Sequence, residues 1–490
     1  MTNEIWHEEC MLVDGSLVGA ADGALYDNVN PATEDVMGQA VDAGLIDVDR
    51  AIQAARRAFD ETGWSTDVTF RVRCLRQLRD ALVAHGEDLR SMIVAEGGTP
   101  VSLTYGAQLD DPVATLGWIA DLAERYEYET DLGRAAPYGM PALRRVVREP
   151  VGVVGAITPW NFPTQINLAK VGPALGAGNT VVLKPAPDTP WSGTALGRLV
   201  AEETDIPPGV FNVVTSAGHV VGQRLAQDPR VDMVSFTGST ANGRSVMEAA
   251  AGNLKRVFLE LGGKSAAVVL LDADIKQAVA MTAIQILTHA GQGCAITTRL
   301  LLPRSRYDEG VGEVVDVLSG LSYGDPTDPA HLMGPLISRR QRQRVLGYIE
   351  RGCADGATVA LGGGIPEHLP HGFYVEPTVL VDVDSDAVVA QEEIFGPVLV
   401  VLSYDDTDDD AVRVANNSVY GLSGAVFSGS VDHARAVALR IRTGTVSVNG
   451  AVWYSADVPF GGYKQSGFGR EMGIGGFEEY LEIKSIAEPA

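Results

Sequence analysis

From Val151 onward, short apolar runs at Val151–Ile157, Thr180–Leu183, Val210–Val214, Asp232–Phe236 and Arg256–Leu259 alternate with helix-length segments that open after proline or glycine. Strands separated by helices pair in parallel, and a parallel sheet needs both faces covered, so the alternation commits the chain to an α/β architecture. A second series of the same kind begins at Ala266–Leu271 and runs through Ile296–Leu302, Val398–Leu402, Gly424–Phe427 and Gly444–Val448. Two series predict two doubly wound sheets, and 490 residues exceed what one ordinary core organises. Ahead of both, Ala51, Ala54, Ala55, Ala58 and Phe59 recur at helical spacing, as do Val72, Leu75, Leu78, Leu82 and Val83. The first 130 residues are therefore expected to be mostly helical after a strand-like start. Leu143-Arg144-Arg145-Val146-Val147-Arg148 and Tyr480–Ile486 are short, alternating, and belong to neither series.

The charge balance narrows the function classes. Asp and Glu number 63 against 38 Lys and Arg, a net charge of -25, which argues against nucleic acid or anionic membrane as a partner, since both require clustered positive charge. The acidic stretch Met1 to Glu9 lacks the basic start and apolar core of a signal peptide, and no apolar run reaches the ~18 residues that span a bilayer. A cytoplasmic protein is expected. Cys10, Cys74, Cys294 and Cys353 show no Cys-x-x-Cys pair, and the eight histidines form no paired spacing with them, so free thiols and no metal site are expected.

Chemistry concentrates at two places. Cys294 closes the stretch His289-Ala290-Gly291-Gln292-Gly293-Cys294, whose small and polar neighbours let a carbonyl approach, and Glu260 sits 34 residues upstream in Leu259-Glu260-Leu261-Gly262-Gly263-Lys264-Ser265. A thiol attacks a carbonyl and a carboxylate activates water, so the pair is able to make and break an acyl-enzyme. Around it, in order, stand Pro159-Trp160-Asn161-Phe162-Pro163, Phe236-Thr237-Gly238-Ser239, Glu393-Ile394-Phe395-Gly396-Pro397 and Pro459-Phe460-Gly461-Gly462-Tyr463-Lys464. Gly238-Ser239-Thr240-Ala241-Asn242-Gly243 follows a strand and opens a helix, where backbone N–H groups and the helix dipole suit a pyrophosphate.

This ordered set resembles the NAD(P)-dependent, non-acylating aldehyde dehydrogenase superfamily over roughly residues 145 to 485. The resemblance implies a Rossmann-like coenzyme domain from residues 1–130 and 151–260, a catalytic thiol domain over 261–460, and a small β-arm for oligomerisation from 131–150 and 471–490. It implies a homo-oligomer, dimer or tetramer, acting on a small-molecule aldehyde. Cys294 is then the nucleophile, Glu260 the general base, and the Asn161 amide, with the backbone N–H of Cys294, the oxyanion hole. Lys184 would bind the adenosine ribose, Gly238 and Ser239 the pyrophosphate, and Glu393 the nicotinamide ribose, with Trp160 and Phe395 also on the coenzyme side. Relatives that pass the acyl group to coenzyme A typically lack the glutamate, so Glu260 favours release of the free acid.

The chain also departs from the family pattern. Pro187 stands where a glutamate often grips the adenosine ribose 2′-hydroxyl, which removes a barrier to NADP; NAD is the expected coenzyme, with NADP possible. His289 replaces a common Asn, and is expected either as a satisfied polar residue on the helix before the nucleophile or as a proton relay. Phe162, Ile166, Ala169, Gly293, Ala295, Trp453, Tyr454 and Phe460 are candidates to line the substrate channel. Ala169 replaces a bulky aromatic of some relatives, and no Arg or Lys is placed to hold a second carboxylate. A medium or bulky apolar aldehyde, aromatic ones included, is expected. The competing readings are a cofactor-independent thiol esterase, against which the nucleotide motifs speak, and a non-catalytic nucleotide-binding scaffold, against which the intact Cys294, Glu260 and Asn161 speak.

Overall fold

The computed structural model describes residues 6–490. Its first sheet has eight strands in the order Gly467–Phe468, Arg256–Glu260, Met233–Thr237, Val153–Ile157, Thr180–Lys184, Phe211–Val213, Met11–Val13 and Ser16–Val18. The five inner strands are parallel. Their order reverses between Val153–Ile157 and Met233–Thr237, the switch point outside which a doubly wound sheet opens a crevice at its carboxyl edge. Register aligns that edge: Ile157 lies opposite Lys184, Phe236 opposite Ile157, and Thr237 opposite Glu260.

The second sheet runs Thr358–Leu361, Thr378–Val381, Val398–Tyr404, Arg299–Pro303, Ala266–Val269, Gly424–Phe427 and Ser447–Val448, parallel except for the first pair. Its strands are fully buried runs such as Val398–Leu402, as expected of strands covered on both faces. The chain leaves the carboxyl end of one sheet at Glu260 and enters the amino end of the other at Ala266, so the two edges meet across five residues.

Helices Val68–Ala84, Asp110–Arg125, Pro163–Ala177 and Trp191–Glu203 build one face of the first sheet. Leu45–Glu61, Val220–Gln227 and Thr240–Ala250 cover the other. The expected helical layer of the first 130 residues is thus split between both faces. The two alternating segments that fit neither series form a separate three-stranded antiparallel sheet, in which Ala142–Pro150 lies between Glu129–Ala135 and Leu481–Pro489.

One strand begins later than its apolar run suggests. The run at Ile296 joins no ladder until Arg299, because Thr297 is held by its amide and hydroxyl to the Gln285 side chain at 3.3 and 3.0 Å, not to a neighbouring strand. A second correction concerns His289. The preceding helix ends at Gln285, and His289 and Ala290 occupy the left-handed region with φ of 46° and 52°. The segment before the nucleophile is a strained turn, not a helix.

Among buried polar groups, Glu96 ties three elements together. Its carboxylate accepts from Asn28 Nδ2 at 3.2 Å, Trp191 N–H at 3.1 Å, Ser192 N–H at 2.8 Å and the Ser192 hydroxyl, capping the helix that starts at Trp191. Burial pushes its pKa up to about 7 against those hydrogen bonds. Glu96→Ala, which strands two buried amides, is expected to cost about 3 kcal/mol and to lower the thermal unfolding midpoint at fixed scan rate; an unchanged midpoint would refute this capping role.

Candidate active site

The site lies where the carboxyl edge of the first sheet faces the amino edge of the second. Glu260 is the last residue of its strand and is buried. Cys294 sits on the loop that precedes Arg299–Pro303 and is half-buried. Two glycines let these segments touch. A Cβ on Gly263 would lie 2.6 Å from the Cys294 carbonyl oxygen, and one on Gly291 would lie 2.1 Å from the Gly396 oxygen, where φ is also +71°. The crossing from Glu260 and the segment carrying Glu393 thus both close upon the thiol loop.

Asn161 comes from the opposite side, just before helix Pro163–Ala177. Its Nδ2 donates to the Gln292 carbonyl at 2.9 Å, and its own carbonyl accepts from Gln108 Nε2 at 2.9 Å. Gln292 is in turn fixed by bonds from its amide nitrogen to the His289 carbonyl at 3.0 Å and from Ile337 N–H to its oxygen at 2.9 Å. Neither glutamine was singled out from the sequence, although Gln292 stands two residues before the thiol. They hold the amide and the nucleophile's loop in one frame.

The electrostatics keep the resting pair neutral. Burial, reinforced by the Glu471 carboxylate, raises the Glu260 pKa well above the ordinary carboxylate range, against the pull of Lys170. Burial also raises the Cys294 thiol, with Glu260 and Glu393 adding to it. Oε1 of Glu260 is buried and has no hydrogen-bond partner among the described residues. Behind Glu260, Lys170 Nζ donates to Glu471 Oε1 at 2.7 Å and to Ser235 Oγ at 3.2 Å, and Ser235 Oγ lies 3.0 Å from Tyr480 OH. The one sequence signal for this buried network was Lys170, the lone charge in helix Pro163–Ala177.

Expected coenzyme residues line the same edge. Lys184 ends its strand, 7% exposed, with Nζ donating to the Pro185 carbonyl at 3.0 Å. Burial lowers its pKa to about 8 against the carboxylates of Asp188 and Asp42. Gly238 and Ser239 join strand Met233–Thr237 to helix Thr240–Ala250, and Ser239 Oγ accepts from Asn242 N–H. Thr237 Oγ1, beside them, is buried without a partner among the described residues. Glu393 Oε1 accepts from Gly263 N–H at 2.9 Å, and burial pushes that carboxyl to about 7. Trp160 meets the Phe395 ring edge-on at 5.4 Å. A helix N-terminus, a lysine, a buried carboxylate and an orphaned hydroxyl along one edge fit a dinucleotide.

The substrate candidates divide into two groups. Phe162 packs edge-on to His289 at 5.7 Å, and a Cβ on Gly293 would lie 3.7 Å from the Phe162 ring. Ala295 follows Cys294 and is half-buried. Trp453 stacks on Phe460 at 5.4 Å, with Tyr454 edge-on to both; the Tyr454 hydroxyl accepts from Gln165 and is close enough to Cys294 to be raised by it. Ile166 is buried one turn further along the helix. Ala169, a further turn out, faces a groove of about 280 Å³ with Trp118, Ile119, Pro173, Ala456 and Met472. His289 is only half satisfied: Nδ1 meets Thr99 Oγ1 at 3.3 Å, while Nε2 has no partner among the described residues. Burial holds its pKa down to about 3, so the ring is neutral at physiological pH.

Comparison with known proteins identifies the family. The model of the aldehyde dehydrogenase family matches residues 18–486. A 3-succinoylsemialdehyde-pyridine dehydrogenase from a Pseudomonas species is 43% identical over 97% of both chains. The crystal structure of betaine aldehyde dehydrogenase from Staphylococcus aureus in complex with NAD+ superposes with a TM-score of 0.95 at 36% identity, covering 99% of this chain and 95% of that one. A mutant of aldehyde dehydrogenase C from Pseudomonas syringae, complexed with NAD+ and octanal, gives 0.93 at 38% identity, covering 98% and 96%. With a family match across nearly its whole length and relatives of this identity, the chain belongs to the aldehyde dehydrogenase family.

Proposed function

We propose that the protein oxidises an apolar aldehyde to the free carboxylic acid with NAD+, using Cys294 as nucleophile, Glu260 as general base and Asn161 as oxyanion donor. The observation that carries the reading is the convergence of these three side chains on one seam, with Glu260 buried and one of its oxygens without a partner among the described residues. Cys294 first gives up its thiol proton to solvent; Sγ then bonds to the carbonyl carbon as the C=O π pair moves onto oxygen, and the alkoxide that forms is held by the second N–H of Asn161 Nδ2 and by the backbone N–H of Cys294. NAD+, when bound, supplies the hydride acceptor, leaving a thioester on Cys294. Glu260, in its ionised form, then takes a proton from water, the hydroxide adds to the thioester carbon, and the C–S bond breaks to return the thiolate and the acid. Lys170 and Glu471 balance the charge around Glu260 as it changes protonation.

NAD+ is preferred to NADP+ in this reading, because Lys184 already has Asp188 and Asp42 beside it, and their charges oppose a 2′-phosphate although Pro187 does not. Small flanks at Gly293 and Ala295, the aromatic wall of Trp453, Tyr454 and Phe460, and the space beside Ala169 support a bulky or aromatic substrate. The 43% identical relative, named for a pyridine-bearing semialdehyde, is in keeping with it. We further infer a cytoplasmic homo-oligomer, dimer or tetramer, assembled through the three-stranded sheet, which exposes Leu132, Tyr138 and Ile483. No helix of the described residues is long and apolar enough to cross a membrane.

Cys294→Ala should abolish dehydrogenase and esterase turnover while leaving NAD+ binding, measured by fluorescence titration. In Glu260→Gln a first-turnover burst of NADH should survive while the steady state falls by about 10²-fold or more; loss of the burst as well would assign Glu260 to thiol activation. Because the folded-state pKa of Glu260 is raised, its basic form grows as pH rises, so the deacylation rate should climb with pH over a range displaced above that of an ordinary carboxylate; a flat profile would remove Glu260 as base. Ala169→Trp should lower kcat/KM for aromatic aldehydes about tenfold or more and leave propanal nearly unchanged. Equal loss for both would place Ala169 outside the substrate path.

A further inference from the structure

On the far side of the crossing from Glu260, a narrow cleft opens to solvent between the amino ends of strands Ala266–Val269 and Gly424–Phe427. Lys264, Arg299, Arg442 and Lys464 line it, and no Asp or Glu does. In a chain of net charge -25, four cations without a carboxylate in one wall call for an account. Lys264 is 2% exposed, and its Nζ has no hydrogen-bond partner among the described residues. A buried ammonium costs several kcal/mol unless something pairs with it.

The other three cations do not supply that pairing and are not themselves neutralised. Arg299, 2% exposed, donates only to backbone oxygens, those of Lys264 at 2.8 Å, Ala415 at 2.8 Å, Val414 at 3.2 Å and Asn417 at 3.3 Å. Lys464 Nζ donates to the carbonyls of Asn416 and Ser418. The groups press on one another: Arg299 lowers Lys264, and Arg442 with Arg299 lowers Lys464. Glu393 and Glu392 act on Lys264 and partly offset this, but neither lines the cleft.

We propose that this cleft binds a small tetrahedral oxyanion of the phosphate or sulfate class, with Lys264 at its floor and Arg442 and Lys464 at its mouth. The dianion supplies the charge that the wall lacks and acceptors for the unpartnered ammonium. Arg299 contributes its field from behind while keeping its backbone bonds. None of the residues assigned to the coenzyme lines the cleft, and the proposal does not depend on the reaction proposed above. Burial and Arg299 bring Lys264 to about 7, so its charge, and with it the affinity, falls as pH rises.

The test is isothermal titration of the full-length protein with inorganic sulfate, whose charge is constant across the range, at fixed ionic strength, without coenzyme, at about pH 6 and about pH 9. One saturable site per chain is expected, weaker at the higher pH. Lys264→Met should abolish it. Arg442→Gln with Lys464→Gln, two exposed positions whose loss leaves the core intact, should weaken it about tenfold or more. Phosphate and ribose 5-phosphate, titrated in parallel, distinguish the free ion from a phosphomonoester. Absence of saturable heat from the unaltered protein, or wild-type affinity in the double variant, would overturn the proposal.

Discussion

Everything at the site depends on five residues, Leu261 to Ser265, that carry the chain from one sheet to the other. Their backbone groups are tied on all sides. Leu261 N–H donates to the Ser466 carbonyl at 3.0 Å, and Ser466 Oγ donates to the Gly262 carbonyl at 2.7 Å. Gly263 N–H holds Glu393, and Arg299 holds the Lys264 and Ser265 carbonyls through its side chain and amide. With no slack left in the crossing, Glu260 at its start and Glu393 beside its middle are fixed relative to the thiol loop that Gly263 touches. A side chain at Gly263 would push Cys294 away, so the separation of nucleophile and base is set by backbone packing.

The seam also concentrates charge in a low-dielectric region. Glu260 feels the charges of Glu471, Lys170 and Glu393, and Glu393 that of Lys264. In such surroundings an isolated ionised group is costly, and the molecule answers in two ways. Lys170 and Glu471 form a close pair at 2.7 Å, each almost wholly buried. At Glu260 and Cys294 burial instead raises both pKa values, which favours the neutral form of each. A thiol poised in this way is slow to react with passing electrophiles, at the expense of needing deprotonation during turnover.

Much of this was legible in the residues themselves. Fully apolar strands punctuated by glycine and proline made the two sheets plain, and the ordered motifs marked where the edges meet. What stayed hidden followed from tertiary contacts. Arg299 as the true start of its strand could not be read from the apolar run at Ile296, because the side chain of Gln285 takes the hydrogen bonds of Thr297. His289 looked helical by position, yet close contact of Gly291 with Gly396 turns the chain into left-handed geometry there. Gln108, Gln292 and Glu471 are ordinary polar residues in sequence. Their importance comes from partners 53, 45 and 301 positions away, a separation that local pattern does not encode.

That same separation bears on how the molecule is made. Ser466, which clamps the crossing, lies 204 positions downstream of Gly262, and the strand Gly467–Phe468 that it introduces pairs with Arg256–Glu260. A chain growing from its N-terminus at the pace of translation can lay down most of the first sheet early. Its catalytic seam, however, stays open until residue 466 has left the ribosome. Thiol and carboxylate therefore meet late in biogenesis, after both sheets exist, and a nascent or prematurely stopped product lacks the clamp that sets their distance.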